Sequence, residues 1–169
     1  MDTVLRTIAH EFSDIPDLEQ LTRVVVRLLV AAVLGGLIGL ERELAQKPAG
    51  LRTHMLVALG SALFVLIPLQ AGMEMEDLSR VVQGLLAGVG FLCAGAILKG
   101  VHNDHVQGLT TSASLWMTAA IGMGAGLGRE ATAALSTLLA LSILSLEGPL
   151  QRWLDRRKRR VATPNDPLR

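Results

Sequence analysis

Five runs of 16 to 19 residues, at 24–40, 55–71, 81–98, 110–128 and 131–146, hold one charge between them, Arg27. A helix that is apolar all round offers no face to water, so such runs belong in a buried core or in lipid. At about 1.5 Å per residue each run spans roughly 24 to 29 Å, slightly under a ~30 Å hydrocarbon layer. Flanking Arg and Lys side chains can snorkel across the difference. Charged residues make up only 18% of the chain and mean hydropathy is +0.44; soluble domains carry about 25% charge. The sequence therefore predicts an all-α membrane protein: a compact bundle of five transmembrane helices behind a short N-terminal amphipathic helix. The expected division is an N-terminal segment at 1–21, a membrane domain at 22–147 and a basic tail at 148–169.

Charge placement gives this bundle a direction. With five crossings, one side holds 11 of the 16 Lys and Arg residues and the other holds 5. The positive-inside rule then puts the C-terminus in the cytoplasm and the N-terminus outside. The run RRKRR at 156–160 comes soon after the last span, which suits anionic lipid better than nucleic acid. Trp153 beside it fits an interfacial anchor. Before the first span, Val4, Leu5, Ile8, Ala9 and Phe12 fall on one helical face, as in a helix lying on the outer surface. Ser13 or Asp14 is the expected cap of the following helix, with Pro16 in its first turn. The first residues carry no signal-peptide pattern.

Twelve of the 17 glycines lie in the first four runs. Rows of small residues four apart let membrane helices approach closely, where no hydrophobic force draws them together. Gly35 with Gly39, Gly84 with Gly88, and Gly90 and Gly95 are expected to pack helices within the bundle. A homodimer through one such row is a further expectation.

Ionisable groups gather where the first run ends, in ERELAQKPAGLRTH at 41–54. The helix should continue to about Gln46, where Pro48 and Gly50 stop it. A hairpin this short would let Glu41 or Glu43 reach Arg52. Charges at a membrane boundary are often functional, so Glu41, Arg42, Glu43, Arg52 and Thr53 form the first candidate site. A second loop offers His102, Asn103, Asp104 and His105, in no strong metal-ligand spacing. Thr110, Thr111 and Ser112 then open the fourth run, where they can cap its N-terminus.

Other chemistry is sparse. There is no phosphate-binding loop or nucleophile elbow, and no nucleophile–base pair is visible. No run carries a carboxylate at mid-depth. The single cysteine, Cys93, excludes an internal disulfide or a cysteine zinc cluster and reads as a small core residue. Neither an enzyme, a metal nor a cofactor is expected.

Four blocks, GGLIGLERE, PAGLRTHMLVALGSALF, GLLAGVGFLCAGAIL and VQGLTTSASLW with GMGAGLG, together resemble the MgtC/SapB family of bacterial membrane proteins over about residues 30–128. The resemblance marks Gly35, Gly39, Glu41, Arg42, Gly50, Arg52 and Thr53, then Gly88, Gly90, Phe91, Gly95, Gly108, Leu109, Thr110, Thr111 and Trp116. Cys93 stands where glycine is commoner, and Gln107 where a basic residue is frequent. The resemblance covers the membrane domain; long members append a soluble ACT-type domain, and only about twenty residues follow the fifth run here. It implies an inner-membrane regulatory or interaction protein linked to low-magnesium adaptation and virulence. Such a protein would act on another membrane complex such as the ATP synthase. The alternative is a small oligomeric transporter or channel for magnesium or another cation, with Glu41, Glu43 and Asp104 recruiting the ion. The expected partners are the lipid bilayer, a membrane protein and a second copy, without nucleic acid. The implied site adds Asp104, Gly108, Thr110, Thr111 and Trp116 to the charged junction.

Overall fold

The computed structural model describes residues 2–11, 17–99 and 108–146. The described residues form six helices and no strand: α1 (Asp2–Glu11), α2 (Leu18–Leu44), α3 (Leu51–Gln70), α4 (Leu78–Lys99), α5 (Leu109–Gly126) and α6 (Glu130–Ser145). In α1, Val4, Leu5 and Ile8 are exposed. It packs against none of the others.

The helix α2 starts six residues before the first apolar run. Its cap is Asp17, whose carboxylate accepts the Gln20 N–H at 2.7 Å. That replaces the expected cap at Ser13 or Asp14, both outside the described residues, as are Phe12 and Pro16. The far end closes with Gln46 in the left-handed region, φ 54°. There the Lys47 N–H donates to Arg42 O at 2.9 Å and the Gln46 N–H to Glu43 O at 2.9 Å. This paired arrangement satisfies carbonyls that a helix end otherwise leaves open. It turns the chain so that α3 runs back along α2.

The core is the α2–α3–α5 junction, with α6 against α2 and α5, and α4 against α5 and, more lightly, α3. Its buried apolar residues are mostly small, with Ala31, Ala58, Ala62 and Ala125 around Ile38 and Ile121. Small side chains bring backbones close. A Cβ on Gly39 would lie 2.8 Å from Leu51 Cα, and one on Gly35 would lie 2.7 Å from His54 O. On the other side of α3, a Cβ on Gly126 would meet Ala62 O at 2.5 Å, and one on Gly122 would overlap Ala58 O. The helix α3 is thus clasped between glycine rows of α2 and α5.

The expected rows in α4 behave differently. A Cβ at Gly84, Gly88, Gly90 or Gly95 would meet no described residue within 4 Å. These four glycines do not pack the bundle, because α4 leans on α5 through Cys93 and leaves its glycine face open. A groove of about 500 Å³ remains between α3 and α4, bordered by Gly60, Gly84 and Gly88.

Among the described residues, three helices have the length and composition to cross a membrane: α2, α3 and Leu78–Ile97 of α4. The helix α6 is apolar but has only 16 residues. The helix α5 differs for a physical reason. Ten of its 18 residues are buried, among them Thr111, Ser112, Ser114 and Thr118. Surrounded by protein, it needs no continuous apolar wall. Outward faces elsewhere are apolar: Phe91 is 84% exposed and Ile143 68%. Only 11% of the α4 span is buried inside the bundle. An apolar surface on this scale fits lipid as its solvent.

A buried polar clasp at the charged junction

The junction of α2 and α3 contains the deepest charges in the described structure. Arg42 lies in the last turn of α2 and is fully buried. Its partner is the adjacent Glu41, which takes both ends of the guanidinium fork. Nε donates to Oε2, and Nη2 donates to Oε1 at 2.7 Å. Neighbours in a helix point about 100° apart and do not ordinarily face each other. Here the long arginine side chain curls back, and Nη2 also approaches Leu144 O of α6 at 3.5 Å.

This pairing corrects the expectation that Glu41 or Glu43 meets Arg52. The Glu43 carboxylate instead accepts the Leu51 N–H at 2.8 Å. Leu51 opens α3, whose N-cap is Gly50 and has no side chain to cap with. Glu43 therefore does the capping from the previous helix, and a carboxylate at that end also meets the helix dipole favourably. Gly50 leaves the space: a Cβ there would lie 2.7 Å from Glu43 Oε2. Glu43→Ala is expected to cost about 1 kcal/mol, as losing a cap does. Glu43→Gln, which keeps an acceptor, should cost less; thermal unfolding in detergent measures both.

Arg52 stands exposed in the first turn of α3 and makes no ion pair with any described residue. Thr53 beside it is half-buried.

The next residue, His54, is fully buried. Its Nδ1 lies 2.9 Å from Gly50 O, which can only accept, so Nδ1 carries the proton. Nε2 then faces Ser114 Oγ of α5 at 3.1 Å as an acceptor. The Ser114 hydroxyl also lies 2.8 Å from Thr111 O, so its one proton serves two acceptors. A histidine–serine pair had not been visible in the sequence. A histidine inside an otherwise apolar helix was the available signal; its partner comes from 60 residues away. Both groups are buried, which makes the pair a polar link between α3 and α5.

The second candidate set is split by the fold. Asp104 lies outside the described residues, as do His102, Asn103, His105 and Gln107. The cap of α5 is Gly108, at φ 89°, rather than a Thr or Ser side chain. A Cβ there would sit 2.8 Å from Ala96 O. Close approach to α4 and a left-handed backbone both select glycine. Thr111 is buried, Thr110 is exposed, and Trp116 is half-exposed on the outer side of α5. Ser112 turns to α4, where its hydroxyl donates to Cys93 O at 2.9 Å and Cys93 Sγ reaches Ser112 O at 3.2 Å. Among the described residues no group of three or more His, Cys, Asp or Glu is placed to hold a metal.

Described residues whose regular elements are all helical, with long apolar helices and a buried arginine held by its neighbouring glutamate where α2 and α3 meet, define a class of membrane bundle. Residues 28–153 match the MgtC family, and the chain belongs to that family. It is 46% identical to SrpB of Synechococcus elongatus over 141 residues, covering 76% of this chain and 78% of that protein. YhiD of Escherichia coli K12, provisionally named a magnesium transporter, is 40% identical over 129 residues, which cover 72% of this chain and 59% of YhiD. MgtC of Salmonella typhimurium is 41% identical over 117 residues, covering 69% of this chain and 49% of MgtC. The chain thus spans little more than half of YhiD and about half of MgtC. No solved structure matches.

Proposed function

We infer that this chain is a regulatory protein of the bacterial inner membrane. It crosses five times, with its N-terminus outside, α1 on the outer surface and the charged junction in the cytoplasm. It serves low-magnesium adaptation by binding another membrane complex, of which the ATP synthase is the first to test. The observation that carries this reading is Arg52. It sits in the first turn of α3, where the helix dipole disfavours a cation by about 0.3–1 kcal/mol. It is exposed and has no ion-pair partner among the described residues. A residue that works against its own helix without return inside the fold is explained by a contact outside it, here an acidic group on the partner. The open glycine face of α4 gives a second, intramembrane surface to the same partner or to another copy.

Capture in mild detergent tests this. The unsubstituted chain should retain a membrane complex that Arg52→Ala, folded and equally stable, does not. Retention by Arg52→Ala would remove the reading. The name given to YhiD supports a second reading, cation transport. Purified protein in sealed liposomes separates the two, since a selective magnesium flux would favour transport.

A further inference from the structure

At the end of the bundle away from the charged junction, α2 and the last turns of α3 enclose a cavity of about 440 Å³. Leu66 and Leu69 of α3 form an apolar wall, and four charges line the α2 side: Asp17, Glu19, Arg23 and Arg27. Their order along α2 matters. The carboxylates stand at the helix start, and each arginine is set about 6 Å deeper than the charge four residues before it.

Two acids and two bases cancel, but their bonds are not closed. Asp17 accepts the Gln20 N–H, and Glu19 meets Arg23 Nη2 at 2.7 Å. Each carboxylate keeps acceptor capacity beyond that, since its two oxygens offer about four sites. Arg27 is the least satisfied. Nη1 donates to Gly126 O at 3.2 Å. Nε forms a long ion pair with Glu130 at 3.9 Å, past hydrogen-bond range, and has no hydrogen-bond acceptor. Inside an apolar run, a cation held by one long ion pair gains from a further anion at the exposed edge of its guanidinium.

We propose that this cavity binds a phosphate ester bearing a primary ammonium, the chemistry of an ethanolamine phospholipid headgroup. The phosphate lies against Arg23 and Arg27, which suit it by charge and by their planar donor forks. The ammonium lies at Asp17 and Glu19, and the glycerol end lies along Leu66 and Leu69. In a bilayer the phosphate sits nearer the hydrocarbon and the amine further out, which is the order of the arginines and carboxylates along α2. A purely anionic headgroup would meet two carboxylates. A quaternary ammonium has no N–H to give them. The assignment rests on α2 crossing a bilayer, and is independent of the protein partner.

Native mass spectrometry of the full chain in mild detergent, offered an equimolar mixture of phosphatidylethanolamine, phosphatidylcholine and phosphatidylglycerol, tests it. Phosphatidylethanolamine should be retained over each of the others by about tenfold, the factor for one charge-assisted bond. Arg27→Gln should reduce that retention by about the same factor. Asp17→Asn with Glu19→Gln should abolish the preference over phosphatidylglycerol while keeping the helix cap, because Asn caps as well as Asp. This second variant decides the matter if Arg27→Gln does not fold. Free phosphoethanolamine forms a separate arm; binding there that depends on Arg27, without lipid retention, assigns the same chemistry to a soluble ligand. Equal retention of phosphatidylglycerol, retention indifferent to these substitutions, or binding of neither lipid nor free phosphoethanolamine overturns the proposal.

Discussion

Gly122→Ala is expected to lower stability by about 3 kcal/mol or more, while Gly88→Ala should fold at least as well as the unsubstituted chain. Both are single-methyl additions to glycines in apolar helices, and their surroundings decide the difference. A methyl on Gly122 would overlap the Ala58 carbonyl and lie 2.7 Å from Ala58 Cα. Neither contact is the end of a flexible side chain, so α3 and α5 must separate as backbones. Overpacking a close-packed interior costs about 1–3 kcal/mol, and the upper end or beyond applies where backbone must move. That is a large share of a typical stability of about 5–15 kcal/mol. A methyl on Gly88 meets no described residue within 4 Å. There the substitution removes only the glycine penalty in a helix, a gain of about 0.5–1 kcal/mol. The yield of monodisperse protein and its thermal unfolding in detergent measure both. Equal losses at the two positions would mean that α4 packs through its glycine face after all.

These two glycines also show how far the sequence could be read. The unbroken apolar runs were enough to expect helices, and each of α2 to α6 overlaps one of the five runs. The small-xxx-small rows were visible as well, but a row does not say which neighbour it meets. Gly35 and Gly39 meet α3 as expected; Gly84 and Gly88 belong to an equally regular row and meet nothing. That choice is made by how α4 tilts onto α5, through a Cys93–Ser112 link between residues 19 apart. The helix α5 was harder for another reason. Thr110, Thr111 and Ser112 looked like caps, yet Ser112 is turned sideways to the Cys93 carbonyl of α4 at 2.9 Å. At the charged junction the residue types were legible and the pairing was not. Spacing favoured Glu41 or Glu43 with Arg52, because hairpin neighbours face each other. The left-handed turn at Gln46 sets a register in which Glu43 reaches the α3 backbone instead.

Glu41 and Arg42 should prove strongly coupled, and Glu41 and Arg52 should not. Removing one member of a buried ion pair costs about 3–5 kcal/mol, much of it from the charge left behind. Glu41→Gln leaves a fully buried guanidinium without the carboxylate that holds it at two points. Arg42→Met leaves a carboxylate that is 25% exposed and so partly hydrated. The double substitution removes both charges and should cost less than the sum. A coupling energy of about 1–3 kcal/mol is expected from the cycle, the range for residues in direct contact. The corresponding cycle with Arg52→Ala should close to within about 0.5 kcal/mol, as it does for residues that share no contact. Chemical unfolding in detergent supplies all the values. A large Glu41–Arg52 coupling would show that the pair forms across the hairpin and not within α2.

These roles divide the junction in two: a buried pair that holds the end of the bundle together, and an exposed arginine that faces outward. Growth in low magnesium of cells that depend on this chain, carrying Arg52→Ala, tests that division most directly when membrane protein level and thermal stability are measured in the same strain. The expected result is unchanged level, stability equal to or slightly above that of the unsubstituted chain, and lost growth. Full growth with Arg52→Ala, or growth lost only because the protein is no longer folded, would contradict it.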